Sequence, residues 1–374
     1  MFLESLPIDM TSDAAHESLE AALHDLVVSD FRGKWEATKQ LANLGEVAIA
    51  PLVALLQAGE DEDEDWEVRW FAARALGQFD HPEALSALVQ LVQQPQEAEL
   101  VAIAAAGLSH FGDRGVDALV QLLDQRAHRL TSVQALASIQ HSSVFVPLLA
   151  AAADEDPSVR ATALAALANF RHPQVDKLLL TAVKDPHTSV RRVAITHLGM
   201  RSELLADRNL VEILLPGLWD IQPEVNEATA IALGRLGTET AVAALARVLS
   251  SPHTPARLQT CIIRALGWAE KESALLALFS ALSRLPLTQQ TAVVETLPRL
   301  QSPNLRRQAG NLLCNLLQTT RSPRSPDRRL IPAIALALGT LQHSPALPLL
   351  QTLAADADPQ TQLYAAAALR QFAD

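Results

Sequence analysis

Cysteine occurs only twice in the 374 residues, at Cys261 and Cys314. Two isolated thiols provide no disulfide framework, are consistent with a reducing compartment, and fall short of the four thiolates an iron–sulfur cluster normally takes. Cys-x-x-Cys and His-Glu-x-x-His spacings are both missing, so no metal site is evident in the sequence. A Gly-x-Ser-x-Gly elbow and a glycine-rich phosphate loop are missing as well. These absences argue against an enzyme and leave no catalytic residue, metal ligand or cofactor to nominate. Aromatic residues make up 4% of the chain and period-2 alternation is scarce, which argues against a sheet. No stretch approaches 18 uninterrupted apolar residues, so no membrane span is expected. The first ten residues carry two acids and no apolar core, so no signal peptide is expected and the reading is cytoplasmic.

Positive charge is also in short supply: the net charge is −12, unevenly spread. Residues 1–67 hold sixteen acidic and three basic side chains, a balance of −13, whereas residues 284–329 hold eight arginines and two acids, a balance of +6. An acidic amino-terminal part speaks against nucleic acid as the main ligand, because phosphate contacts need Lys and Arg along a groove.

What the chain does have is a recurrent leucine, at Leu41, Leu76, Leu108, Leu136, Leu167, Leu198, Leu233, Leu266, Leu297, Leu338 and Leu369. The steps are 35, 32, 28, 31, 31, 35, 33, 31, 41 and 31 residues. Units of this size cannot bury their own apolar face and must stack on neighbours. Apolar or small residues fall eight, five, four and one places before the leucine, one face of a helix. The position four before is small in most units: Ala37, Ala72, Ala104, Ser132, Ala163, Ala194 and Thr229. Gly77, Gly199, Gly234, Gly267 and Gly339 follow their leucines and read as helix ends. A second helix follows a short turn, as in Pro82 to Val92, Val175 to Val183 and Ala241 to Leu249. Asp156-Pro157, Asp185-Pro186, Gln222-Pro223 and Asp358-Pro359 open the next units. The expected fold is all-α, a right-handed α-solenoid of about eleven helix pairs over residues 31–374, preceded by an N-terminal segment, 1–30, with a capping helix.

The pattern D-x-x-V-R-x-x-A-x-x-A-L-G over Asp65 to Gly77 resembles the HEAT repeat, and the short units are most similar to HEAT proteins of the phycobilisome-lyase type. The run from Arg69 to Pro82 also resembles the cyanobacterial single-chain HEAT proteins linked to an A-type iron–sulfur carrier. The resemblance implies a stacked helical fold. It also implies one of two roles, a scaffold without chemistry of its own or a factor that attaches or detaches a phycobilin.

Several features are candidates for partner binding. Residues 59–67 form an acidic insertion that includes Glu62, Asp63, Glu64 and Asp65, followed by Trp66. It reads either as a solvated loop or as a docking loop for a basic partner. Trp35 and Trp70 both lie six places before their leucines, on adjacent repeats, and with Trp66 make a candidate hot spot. The alternative is that these rings cover the first layer against a helix over Asp13 to Val28. Arg69, Arg129, Arg160 and Arg191 recur seven places before the leucine and read as ties between repeats, with acids such as Asp156 one turn earlier. His81, His141, His172 and His343, each five places after a leucine, read as turn residues rather than ligands, and Cys261 as a core residue. A Ser/Pro/Arg-rich insertion at 319–329 supplies Arg321, Arg324, Arg328 and Arg329 beside Arg306 and Arg307. This is a basic patch for an anionic partner or for the acidic end of a second copy.

The leading expectation is a non-catalytic scaffold that holds another protein, with an A-type iron–sulfur carrier or a phycobiliprotein as the client implied by the resemblance. A phycobilin lyase or phycobilisome-associated factor is the alternative, and a nucleic-acid binder ranks last.

Overall fold

Two kinds of helix alternate along the chain because each repeat needs one face to stack on its neighbours and a second layer to cover that face. The structure, a computed structural model, describes residues 10–58, 66–93, 98–204, 209–320 and 326–372. Its contacts divide into two compact units, Met1–Arg171 and His172–Asp374, a boundary that the leucine spacing does not mark.

In the first unit α1 (Met10–Val28) packs on α2 (Phe31–Leu44). The first helices α2, α4 (Trp66–Leu76), α6 (Ala98–Ser109), α8 (Arg129–Ser138) and α10 (Pro157–Leu167) each pack on the next. Between them run the second helices α3 (Ile49–Ala58), α5 (Pro82–Val92), α7 (Asp113–Leu123) and α9 (Phe145–Ala151). The stretch Phe31–Gln57 is long and apolar enough to cross a membrane. Gly45 breaks it at φ 76°, leaving α2 with 14 residues and α3 with 10. Each is well short of the ~20 that a span requires.

In the second unit α11 (Pro173–Ala182) packs on α12 (Thr188–Leu198). A short α13 (Leu210–Leu214) follows, and then α14 (Pro223–Leu236), α15 (Glu239–Leu249), α16 (Ala256–Trp268), α17 (Glu272–Ala281) and α18 (Leu287–Thr296). The last helices are α19 (Pro303–Thr320), α20 (Ile331–Thr340), α21 (Leu347–Leu353) and α22 (Pro359–Arg370). Here the stacked first helices are α12, α14, α16, α18, α20 and α22.

The recurrent leucines are the centre of this packing. Those from Leu41 to Leu338 are all at most 1% exposed, and Leu369 is half-buried. The small residues four places earlier are equally sealed: Ala72, Ala104, Ser132, Ala163, Ala194 and Thr229 are at 0% and Ala37 at 2%. Small side chains let neighbouring helix axes approach closely. Proline at the first helical position and a capping acid start the helices as expected at Asp156, which accepts from the Ser158 N–H at 2.7 Å, and at Asp358, which accepts from the Thr361 N–H at 3.0 Å. Asp185-Pro186 instead stands ahead of α12, whose capping residue is His187.

Gly77 and Gly199 follow the ends of α4 and α12 as expected, but the glycines after the leucines are not left-handed caps. None of Gly77, Gly199, Gly234, Gly267 and Gly339 has positive φ, and Gly234, Gly267 and Gly339 lie inside α14, α16 and α20. Each faces the next first helix one residue before its leucine. A Cβ on Gly77 would stand 2.7 Å from the Gly107 Cα, one on Gly199 2.6 Å from the Ala232 Cβ, and one on Gly339 2.7 Å from the Ala368 Cα. The missing side chain serves close approach between helices, whereas a left-handed cap would use it for conformational freedom. Both uses leave the same letter in the sequence.

The arginine ties cross repeats. Arg191 donates from Nε and Nη2 to the two carboxylate oxygens of Asp220 in the following turn, both at 2.8 Å, and from Nη1 to the carbonyls of Asp185 and Pro186. Arg129 likewise reaches forward, to Glu155 at 3.2 Å, and Arg160 holds the carbonyls of Asp154 and Glu155. The acid that pairs with Arg191 therefore comes from the following repeat. Asp156, one turn ahead of its own arginine, caps a helix instead. Burial of Asp220 works against its ionisation. The hydrogen bond from Arg191, the Gln222 N–H and the Arg191 charge outweigh that penalty and lower its pKa.

Asp220→Asn is expected to cost about 2 kcal/mol near neutral pH, the scale of a hydrogen bond to a charged group that is left half-satisfied. A carboxyl depressed in the folded state contributes its stability above its unfolded pKa and loses it as pH falls through the folded value. The gap between wild type and variant in chemical denaturation should therefore close below about pH 4. A gap independent of pH would mean that the pair does not form.

Candidate partner-binding surfaces

On the first unit, Trp35 of α2 and Trp70 of α4 occupy the same place on successive first helices, as their spacing predicts. The Asp30 carboxylate accepts from the Gly33 N–H at 2.9 Å and starts α2, so that Phe31 and Trp35 fall one turn apart on one face. Phe31 stacks on Trp35 with centroids 6.4 Å apart and meets Phe71 edge-on at 5.2 Å. Phe71, at 0% exposure, is the floor: Trp35 and Trp70 lean on it edge-on at 6.4 and 5.0 Å. The two indoles are bridged by Arg74, whose guanidinium carbon lies 4.3 Å from the Trp35 ring and 5.7 Å from the Trp70 ring. Beneath, Lys34 of α2 pairs with Glu67 of α4 at 2.7 Å and ties the two layers together.

The outcome is a half-buried aromatic platform with one face outward. Phe31 is 59% exposed, and Trp35, Trp70 and Arg74 are half-buried. Helix α1 packs on α2 through its own stripe of Leu19, Ala22 and Leu26, all buried, and leaves Val27 and Val28 exposed shortly before Phe31 in the chain. Trp66 is 43% exposed and shares no ring contact with this cluster among the described residues. Glu62, Asp63, Glu64 and Asp65 lie outside the described residues. Phe31 and Arg74 were not among the residues nominated from sequence. Their signal was present as Phe31/Trp35 and Trp70/Arg74, both four residues apart on a helix.

The arginines near residue 306 do not act as one patch. Arg306 donates to the carbonyls of Pro298, Leu300 and Thr340 at 2.8, 3.1 and 3.0 Å, closing the turn onto the next repeat. Arg307 is exposed and reaches Asn304, and Arg328 pairs with Asp356 at 3.3 Å. Arg329 lines a separate cavity on the second unit, and Arg321 and Arg324 lie outside the described residues.

Neither cysteine is a nucleophile in waiting. Both are half-buried, so Cys261 is less enclosed than a core position, and burial raises both thiol pKa values, with Glu227 adding to the effect at Cys261. The turn histidines are helix caps: the Nδ1 atoms of His81 and His172 accept from the N–H groups of Glu83 and Gln174, both at 3.2 Å. His343 departs from them. It is 7% exposed and lies over Gly310, where a Cβ would meet its ring, and burial lowers its pKa. Among the described residues no three His, Cys, Asp or Glu side chains converge as metal ligands would.

A family model described as HEAT repeats matches residues 61–137, 116–199 and 175–267, together more than half of the chain. No curated protein sequence matches it. Solved structures share the fold. A structure of Kap95p, concerned with its binding to RanGDP, is 13% identical with a TM-score of 0.54, the alignment covering 96% of this chain and 61% of that one. Importin beta is 14% identical, with a TM-score of 0.52 and coverage of 98% and 59%. Kap121p is 15% identical, with a TM-score of 0.54 and coverage of 95% and 45%. This chain therefore spans about three fifths or less of the length of these proteins.

Proposed function

The chain belongs to the HEAT-repeat family, and from that premise we propose that it is a non-catalytic scaffold that holds a partner protein against the exposed face of its first helices. The observation that carries the reading is the platform of Phe31, Trp35 and Trp70 around Arg74. Large rings held rigid by Phe71 and a guanidinium lose little freedom on binding, and aromatic and arginine side chains dominate binding hot spots. The client implied by the sequence resemblance is an A-type iron–sulfur carrier, which would bring any cluster itself, and the expected compartment is the cytoplasm.

A photo-crosslinking amino acid in place of Phe31 tests this. In an extract of the source organism it should give one discrete adduct, which mass spectrometry identifies. The same probe at Gln362 of α22, an exposed position on the second unit, should not give that adduct. Adducts of equal yield at both positions, or none at either, would reject the surface. The alternative role, in phycobilin attachment or detachment, has its own readout. Mixing the purified chain with phycocyanobilin should leave the visible spectrum unshifted, and a shifted band at micromolar concentration would favour that alternative over the scaffold.

A further inference from the structure

The second unit carries a surface of different chemistry, at equivalent places of its own repeats. On α16, Arg264 and Trp268 stand two residues either side of Leu266. On α18 and the turn after it, Glu295 and Arg299 flank Leu297 in the same way, and on α20 Leu336 precedes Leu338 by two. Two cavities run along this line. One, of about 330 Å³, lies between Arg264, Trp268 and Arg299. The other, of about 520 Å³, lies between Arg299, Arg329, Leu336 and Tyr364. Arg299 lines both, so the two cavities adjoin at its side chain and follow one another as a groove along α16, α18, α20 and α22. With neighbouring axes ~9 Å apart, the groove runs ~25 Å, the span of about eight extended residues.

Its side chains are uncommitted. Arg264, Arg299 and Arg329 are exposed, and among the described residues none of these guanidiniums has a hydrogen bond or ion pair within the chain. Trp268 is 47% and Leu336 36% exposed. Of the two carboxylates present, Glu270 is occupied by the backbone N–H groups of Gln301 and Ser302 at 2.7 and 3.1 Å. Glu295 is free to repel a continuous polyanion. Three forked donors set among apolar and aromatic surfaces match separate carboxylates alternating with apolar side chains better than a phosphate backbone.

We propose that this groove binds an extended acidic peptide segment of a partner protein, its carboxylates on Arg264, Arg299 and Arg329 and its apolar side chains over Trp268 and Leu336. The proposal rests on the scaffold reading but is independent of the Phe31–Trp70 platform.

The test selects a random library of peptides about eight residues long on the full chain. Enriched peptides should carry Asp or Glu next to an apolar or aromatic residue. The double variant Arg299→Glu/Arg329→Glu, whose sites are exposed, should keep its circular dichroism and bind the enriched peptides at least about tenfold more weakly. Tyr364 is the one tyrosine of the sequence, so a saturating peptide should protect the chain from nitration, a readout that requires no variant. Enrichment without acids, unweakened binding by the double variant, unprotected Tyr364 or displacement by single-stranded DNA would each overturn the groove. Binding lost in Trp35→Ala/Trp70→Ala but kept in the arginine variant would move the site to the first unit and also overturn it. A chain that selects no peptide yet still crosslinks its partner through position 31 rejects the groove and spares the scaffold.

Discussion

Replacing Trp35 and Trp70 together by alanine is expected to reduce capture of the native partner at least about 30-fold, while most of the helical circular dichroism is retained. Central aromatic residues of an interface commonly cost ~2 kcal/mol or more each when truncated, and ~2 kcal/mol is about 30-fold in affinity. The fold should survive because the rings are only half-buried. Phe71 and the Lys34–Glu67 pair, which hold α2 against α4, remain in place. Arg74→Ala separates binding from packing. It removes the cation between the indoles without opening the core, so capture should fall by less, with the melting temperature nearly unchanged. Undiminished capture by the double variant would remove the platform from the interface. Collapse of the helical signal, with Arg74→Ala capturing normally, would make the rings structural.

The second large effect concerns stability, and its sign is the informative part. Gly234→Ala, inside α14, would by helix propensity alone stabilise the chain by about 1 kcal/mol. Here the added Cβ would lie 2.6 Å from the carbonyl oxygen of Ala265 and 2.7 Å from its Cα and Cβ. The obstacle is backbone on α16, not the tip of a flexible side chain, so relief requires the two helices to move apart. Overpacking of this kind costs about 1–3 kcal/mol, and its loosening of the α14–α16 contact adds lost burial around Leu233 and Leu266. The net expectation is destabilisation by about 2 kcal/mol, a fall in melting temperature of roughly 4–8 °C for a unit of this size. A melting temperature equal to or above that of wild type would show that α14 and α16 do not meet at Gly234.

The glycines illustrate where sequence reasoning stops. Their recurrence after five of the eleven leucines was legible, but their job was not, because a helix cap and a helix crossing both ask for a missing Cβ. Arg306 is a similar case. An arginine in a basic stretch reads as available charge, yet three carbonyls from two turns absorb its donors. Among the histidines, His81 and His172 follow the repeat and cap helices, whereas His343 holds the equivalent position and is buried over Gly310. Gly310, whose missing Cβ leaves room for the His343 ring, is 33 positions away in the sequence.

The leucine period and the small residue four places before it were enough to make the chain helical and to mark the leucines from Leu41 to Leu338 as its packing centre. Those properties follow from a local period, and from units too small to bury an apolar face alone. The sequence by itself also placed Trp35 and Trp70 at one position of adjacent repeats. The tertiary structure alone decided that Arg74 lies between them, that Arg299 joins two cavities, and that the helices fall into two units divided after Arg171. Those outcomes depend on how closely each first helix approaches the next, which is set by side chains some thirty residues apart and by no local pattern.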